Sequence, residues 1–91
     1  MSRYAWDPEK ARENLAKHGV SFEEAATVPG SDRARWFADE AHSTFEERFL
    51  VFGFSDQHRL LLVVTSEGGV RPRIISAWRA TKRERREYEA R

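Results

Sequence analysis

Between Glu46 and Arg79 the chain reads EERFLVFGFSDQHRLLLVVTSEGGVRPRIISAWR, and this stretch decides the fold. It divides into three strands, Glu46–Phe54, Arg59–Thr65 and Val70–Ala77, joined by Ser55-Asp56-Gln57-His58 and by Glu67-Gly68-Gly69. The runs Phe49-Leu50-Val51-Phe52 and Leu60-Leu61-Leu62-Val63-Val64 are too short for helices and too rich in β-branched and aromatic residues. Gly68-Gly69 offers the positive φ angles of a tight hairpin turn. The pattern predicts an antiparallel meander whose middle strand is apolar on both sides. Other parts of the chain must therefore cover both faces.

Ninety-one residues make a single domain over 1–91, of a size that buries roughly 60–65% of its unfolded surface. A hydrophobic fraction of 40% with six Phe and three Trp supplies a core. The lack of Cys excludes disulfides and thiolate metal sites and fits a reducing cytoplasm. No secretory segment follows Met1, and no apolar run approaches the ~20 residues of a membrane helix. A soluble, cytoplasmic protein without a membrane partner is expected. The net charge of +1 hides segregation. Residues 71–91 hold eight Lys and Arg against three Glu, a balance of +5, which leaves −4 for the other seventy residues. Such a cationic end attracts polyanions locally, or else only keeps a surface helix solvated.

Outside the meander, Asp7 and Pro8 begin a helix expected over Glu9–Lys17. Gly19 suits its left-handed end, with Val20 as the hydrophobic contact that follows. Ser21 and Glu24 form the pattern of a capping box for a second helix, Phe22–Val28, cut by Pro29-Gly30. These two helices are the natural cover for one face. Tyr4-Ala5-Trp6 fits an edge strand or an aromatic plug. Residues 29–45 carry no clear period, although Trp36-Phe37-Ala38 can make one more short strand. Thr81 and Glu84 repeat the capping pattern before a final, very polar helix over Lys82–Arg91, in which Tyr88 is the main apolar contribution.

Read in order, several fragments resemble one family. They are Trp6-Asp7-Pro8-x-Lys10, Asn14, Lys17-His18-Gly19-Val20-Ser21-Phe22-Glu23-Glu24-Ala25, His42-Ser43, Glu46-Glu47-Arg48-Phe49, Gly53, Arg73-Ile74-Ile75-Ser76-Ala77, Glu84-Arg85 and Tyr88-Glu89. The chain resembles the BrnT toxins of type II toxin–antitoxin pairs over almost its whole length. It departs from them in the loop 27–41, which lacks the usual aspartate, and at Trp78, where the family carries Arg; Arg79 follows instead. The resemblance implies a compact α+β, RelE-like fold, with an antiparallel meander, two short N-terminal helices and a C-terminal helix. It implies cleavage of RNA without metal or cofactor, which arrests translation. It also implies a BrnA-like antitoxin with a ribbon-helix-helix DNA-binding domain, DNA being reached only through the antitoxin complex.

Metal-free RNA cleavage needs a base for the 2′-hydroxyl, cations for the phosphorane and an acid for the leaving oxygen. Arginine suits the cationic task, because its fork matches phosphate oxygens and keeps its charge. The catalytic candidates are His18, Glu47, Arg48, Arg73 and Arg79, with Arg73 first for phosphate contact. Lys17, Arg71, Lys82 and Arg85 are candidates for steering the RNA backbone. Each has a plainer alternative: Arg73 paired with Glu47, His18 closing its own helix, Trp78 packed in the core, the lysines serving solubility. The nuclease expectation requires His18, Glu47, Arg48 and Arg73 to converge on one phosphate. His18, His42 and His58 have no ligand spacing, so no metal site is expected. The alternatives to a nuclease are an antitoxin-docking module with little activity and a basic nucleic-acid-binding domain.

Overall fold

The computed structural model describes residues 3–42 and 46–90, with only the backbone of His42. Its elements are α1 (Pro8–His18), α2 (Phe22–Ala25), β1 (Arg35–Ala38), a single 3-10 turn (Glu40–His42), β2 (Arg48–Phe54), β3 (Leu60–Ser66), β4 (Arg73–Arg79) and α3 (Lys82–Glu89). The sheet is antiparallel throughout, in the order β1-β2-β3-β4. The expected α+β meander is therefore present, extended by a fourth strand at Trp36-Phe37, where aromatic residues favour the pleated backbone. Trp36 packs edge-on against Phe49 with ring centroids 5.5 Å apart, which ties β1 to β2 across the aperiodic loop.

Facing residues on paired strands share a side of the sheet, so the register sorts the core. Val51, Val63 and Ala77 lie across from one another on one face, which α1 and α2 cover. There they join Tyr4, Val20, Phe22, Ala25, Val28, Leu61 and Ile74 in the main core. Phe52, Leu62 and Trp78 form a row on the other face, where Phe52, Leu60 and Leu62 meet Tyr88 of α3. Tyr88 stacks on Phe52 at 5.0 Å and donates its hydroxyl to the Arg33 carbonyl at 3.0 Å. This anchor explains how so polar a helix holds its place. Its start is fixed by the full capping box of Thr81 and Glu84.

Three local expectations change. The link between β3 and β4 is not a Gly68-Gly69 hairpin turn but spans residues 67–72, with β4 running to Arg79. Glu67 leaves the ladder to receive the Tyr4 hydroxyl at 2.8 Å, and of the two glycines only Gly69 has positive φ, at 148°. The second helix ends at Ala25 rather than Val28, in a turn closed by the Thr27 hydroxyl on the Glu24 carbonyl. The Ser21 cap is only half a box. Ser21 accepts the Glu24 N–H, but the Glu24 carboxylate points inward to Arg59 and to the Ser55 hydroxyl. That carboxylate is nearly sealed from solvent, with 2% of its side chain exposed. The Arg59 hydrogen bond, helped by Ser55, holds its pKa below the usual carboxylate value despite burial.

The free edge of β4 is closed by the N-terminal third of the chain. Ala5 makes a parallel bridge to Arg73, its N–H reaching the Pro72 carbonyl and its carbonyl accepting from Ile74. Farther along, buried Asn14 accepts the Ala77 N–H and donates to the carbonyls of Ala77 and Val20. A side-chain amide thus takes the part of a neighbouring strand. Tyr4-Ala5-Trp6 is both things that its sequence allows, a bridge through Ala5 and a plug through buried Tyr4.

Candidate active site

A β-bulge makes the cluster on which the site is built. Ser76 faces Val64 while Ile74 faces Thr65, so Ile75 is an extra residue in β4. Without it, alternation would put Arg73 on the side of Ala77, toward the main core. With it, Arg73 faces Ser66, which in turn faces Arg48. Two guanidinium groups therefore share one face at one rim of the sheet.

Glu46 is bonded to Arg73 and lies within the field of Arg48. Its carboxylate oxygens accept from Arg73 Nη2 at 2.7 and 2.9 Å, and the Ser66 hydroxyl donates to the same group. The Ser66 hydrogen bond, then that of Arg73, with Arg48 adding its field, hold the Glu46 pKa below the ordinary carboxylate value. The side chains of Glu46 and Arg73 remain 36% and 48% exposed, so the pair is open to a ligand. Beside it is an open hollow of about 540 Å³ lined by Ala5, Glu46, Gly68, Gly69, Arg71 and Arg73. Arg71 lies outside β4 and bonds through Nε to the Arg3 carbonyl at 3.4 Å.

The other sequence candidates lie elsewhere. Glu47 is exposed beside Gly68, its carbonyl accepting the Glu67 N–H; Glu46, not Glu47, pairs with Arg73. His18 ends α1 near Trp78, with ring centroids 6.4 Å apart. Trp78 is five positions from Arg73 along β4, about 16 Å at the rise of a strand. The expected convergence of His18 with Arg73 and Arg48 on one phosphate does not occur. Helix α1 runs toward the C-terminal end of β4, and Gly19 in the left-handed conformation stops it there. Arg79, exposed, belongs to that same end and acts through space on Glu24. Lys17 is exposed on the last turn of α1. Lys82 opens α3, and Arg85 lies over the Phe54 ring and reaches Glu89. So the candidates form two groups, Arg48 with Arg73 and His18 with Arg79, while Lys82 and Arg85 sit on the helix.

Glu46 is the residue passed over in the sequence. Its signal is the spacing Glu46-x-Arg48, which puts both on one side of an extended chain. Among the described residues no group of three His, Cys, Asp or Glu is placed to hold a metal ion, and no helix is long and apolar enough to cross a membrane.

Residues 6–84 match the model of the ribonuclease toxin BrnT of type II toxin–antitoxin systems. The chain belongs to the BrnT family. Among solved structures, this BrnT chain is similar to the Brucella abortus ribonuclease toxin, BrnT, with a TM-score of 0.65 at 22% identity. The match covers 87% of this chain and 96% of the Brucella one, and it extends the shared BrnT fold over nearly the whole molecule. No curated protein matches. Membership places the chain among ribonuclease toxins and implies an antitoxin partner.

Proposed function

We propose that this BrnT chain is an endoribonuclease that cuts RNA without a metal and thereby blocks translation, with its centre at Glu46, Arg48 and Arg73. The observation that carries this reading is the carboxylate bonded to Arg73, in the field of Arg48, on an open rim. Glu46, kept ionised, takes the proton of the 2′-hydroxyl; its depressed pKa makes it a modest base that works over a wide pH range. When the phosphate arrives, Arg73 turns from Glu46 and, with Arg48, meets the phosphorane oxygens, whose charge grows in the transition state. The leaving 5′-oxygen takes its proton from water. His18, Glu47 and Arg79 have no part in the bond-breaking step. Lys17, Arg71, Lys82 and Arg85 supply a screened, salt-dependent attraction for the RNA backbone.

The partner in this reading is a BrnA-like antitoxin with a ribbon-helix-helix domain, which occludes the rim in the cytoplasm and supplies the contact with DNA. The test is cleavage of a labelled RNA by the purified chain in EDTA. Wild type cuts, Arg73→Ala and Glu46→Gln lose roughly 10²–10⁴ in rate, and His18→Ala keeps the chemical step. Intact RNA together with tight antitoxin binding would leave a docking module in which Glu46 and Arg73 only fasten the sheet. Cleavage unaffected by either rim variant would move the centre elsewhere.

A further inference from the structure

We infer that Lys17, His18, Trp78 and Arg79 form a second contact for single-stranded RNA, distant from the bond that is cut. The inference rests on the ribonuclease reading for its substrate and on separate geometry for its place. The exposed His18 ring and the half-buried Trp78 ring lie side by side, tilted by 46°, at the C-terminal end of β4. Two cations neighbour them in the chain: Lys17 one residue before His18, and Arg79 one residue after Trp78, across from Leu61 on the other side of β4. Both are exposed, and neither side chain makes a hydrogen bond or ion pair among the described residues. The nearby Arg59 differs, since it is hydrogen-bonded to buried Glu24, on which Arg79 acts only through space.

Flat rings at a sheet edge with exposed cations close by are the chemistry that holds single-stranded nucleic acid, the rings stacking on bases and the cations following phosphates. A peptide partner would call for an apolar pocket or a carboxylate to match these groups, whereas this surface presents two rings and two cations. The span from Arg73 to Trp78 sets which nucleotides are involved. A strand stacked at about 3.4 Å per nucleotide covers 16 Å in roughly five nucleotides, and an extended one in fewer. The second contact thus holds a base several positions from the scissile phosphate and makes the protein prefer longer RNA to a dinucleotide.

The test uses uncleavable 2′-O-methyl oligonucleotides, one of two and one of eight nucleotides, with binding to the full chain read by fluorescence anisotropy. Trp78→Leu keeps an apolar group against Leu62 and is expected to weaken the longer oligonucleotide about tenfold, in line with the loss of one stacked base, while the dinucleotide is unaffected. Lys17→Gln and Arg79→Gln alter exposed side chains that make no hydrogen bond or ion pair among the described residues. Each is expected to flatten the salt dependence of the longer ligand by about 0.7 in log–log slope. With cleavable RNA, the same variants raise KM and leave kcat in place. Equal affinity of wild type and all three variants for the longer oligonucleotide would overturn the inference, as would an equal loss for both lengths. Because the probes are never cut, a length-dependent loss at Trp78 supports this contact even where Arg73→Ala leaves cleavage intact. The failure of one reading is therefore separable from the failure of the other.

Discussion

Removing Arg59 should cost this protein more than removing its partner Glu24, although the two are joined by the same bonds. Glu24 has 2% of its side chain exposed and Arg59 29%. In Arg59→Met the carboxylate keeps only the Ser55 hydroxyl, at 2.7 Å, and has no cation in reach of a hydrogen bond. A buried charge stripped of its partner costs about 3–5 kcal/mol. In Glu24→Gln the guanidinium still bonds to the Gly19 carbonyl at 3.1 Å and is open to water. That loss is about 1–3 kcal/mol. The gap of about 2 kcal/mol corresponds to about 10 °C in Tm for a domain of this size, readable by urea unfolding at pH 7 with unchanged m. The pH dependence has a definite sign. In wild type the lowered Glu24 pKa gives stability that is present above the ordinary carboxylate value of 4.5 and lost as pH falls through the folded value. In Arg59→Met the isolated carboxyl has a raised folded pKa, so its penalty fades on acidification and the two stability curves converge. Equal costs for the two substitutions, or curves that stay parallel down to acid pH, would refute the argument that burial of the carboxylate decides the outcome.

Other outcomes follow from groups with a defined set of partners. Asn14→Ala leaves the Ala77 N–H and two buried carbonyls without their amide; a loss of about 2–4 kcal/mol and faster amide exchange at Ala77 are expected. Thr65 carries a fully buried hydroxyl without a hydrogen-bond partner among the described residues, so Thr65→Val should stabilise by about 1 kcal/mol, seen as a higher urea midpoint. Tyr88→Phe gives up the bond to the Arg33 carbonyl and should cost about 1 kcal/mol by the same measurement.

Much of this fold is legible in the chain because its signals are local. The runs at Phe49–Phe52 and Leu60–Val64 give the central strands, Asp7-Pro8 and Gly19 frame α1, and Thr81 with Glu84 begins α3. Strand β1 is weaker in sequence because four residues show no period; only pairing with β2 makes Trp36 and Phe37 extended. The site is less legible for a single reason. The extra residue Ile75 reverses which side Arg73 faces, and a bulge depends on how two strands match rather than on the composition of either. Glu24 shows the same limit. Its spacing from Ser21 fits a cap, but a cation thirty-five residues later claims its carboxylate. His18 is a candidate by residue type alone, and the direction of α1 places it at the end of β4 away from Arg73.

The fastening of β4 by Tyr4, Ala5 and Asn14 bears on how the protein is born. Tyr4 waits for Glu67, Ala5 for Arg73 and Asn14 for Ala77, each more than sixty residues downstream. A ribosome therefore releases the opening segment long before the strand that it must grip, and contacts so distant in the chain are slow to close. No nascent fragment that stops short of β4 holds Arg73 against Glu46. Premature termination or proteolytic loss of the last quarter leaves a molecule without the paired rim, and only a chain that reaches through β4 assembles it.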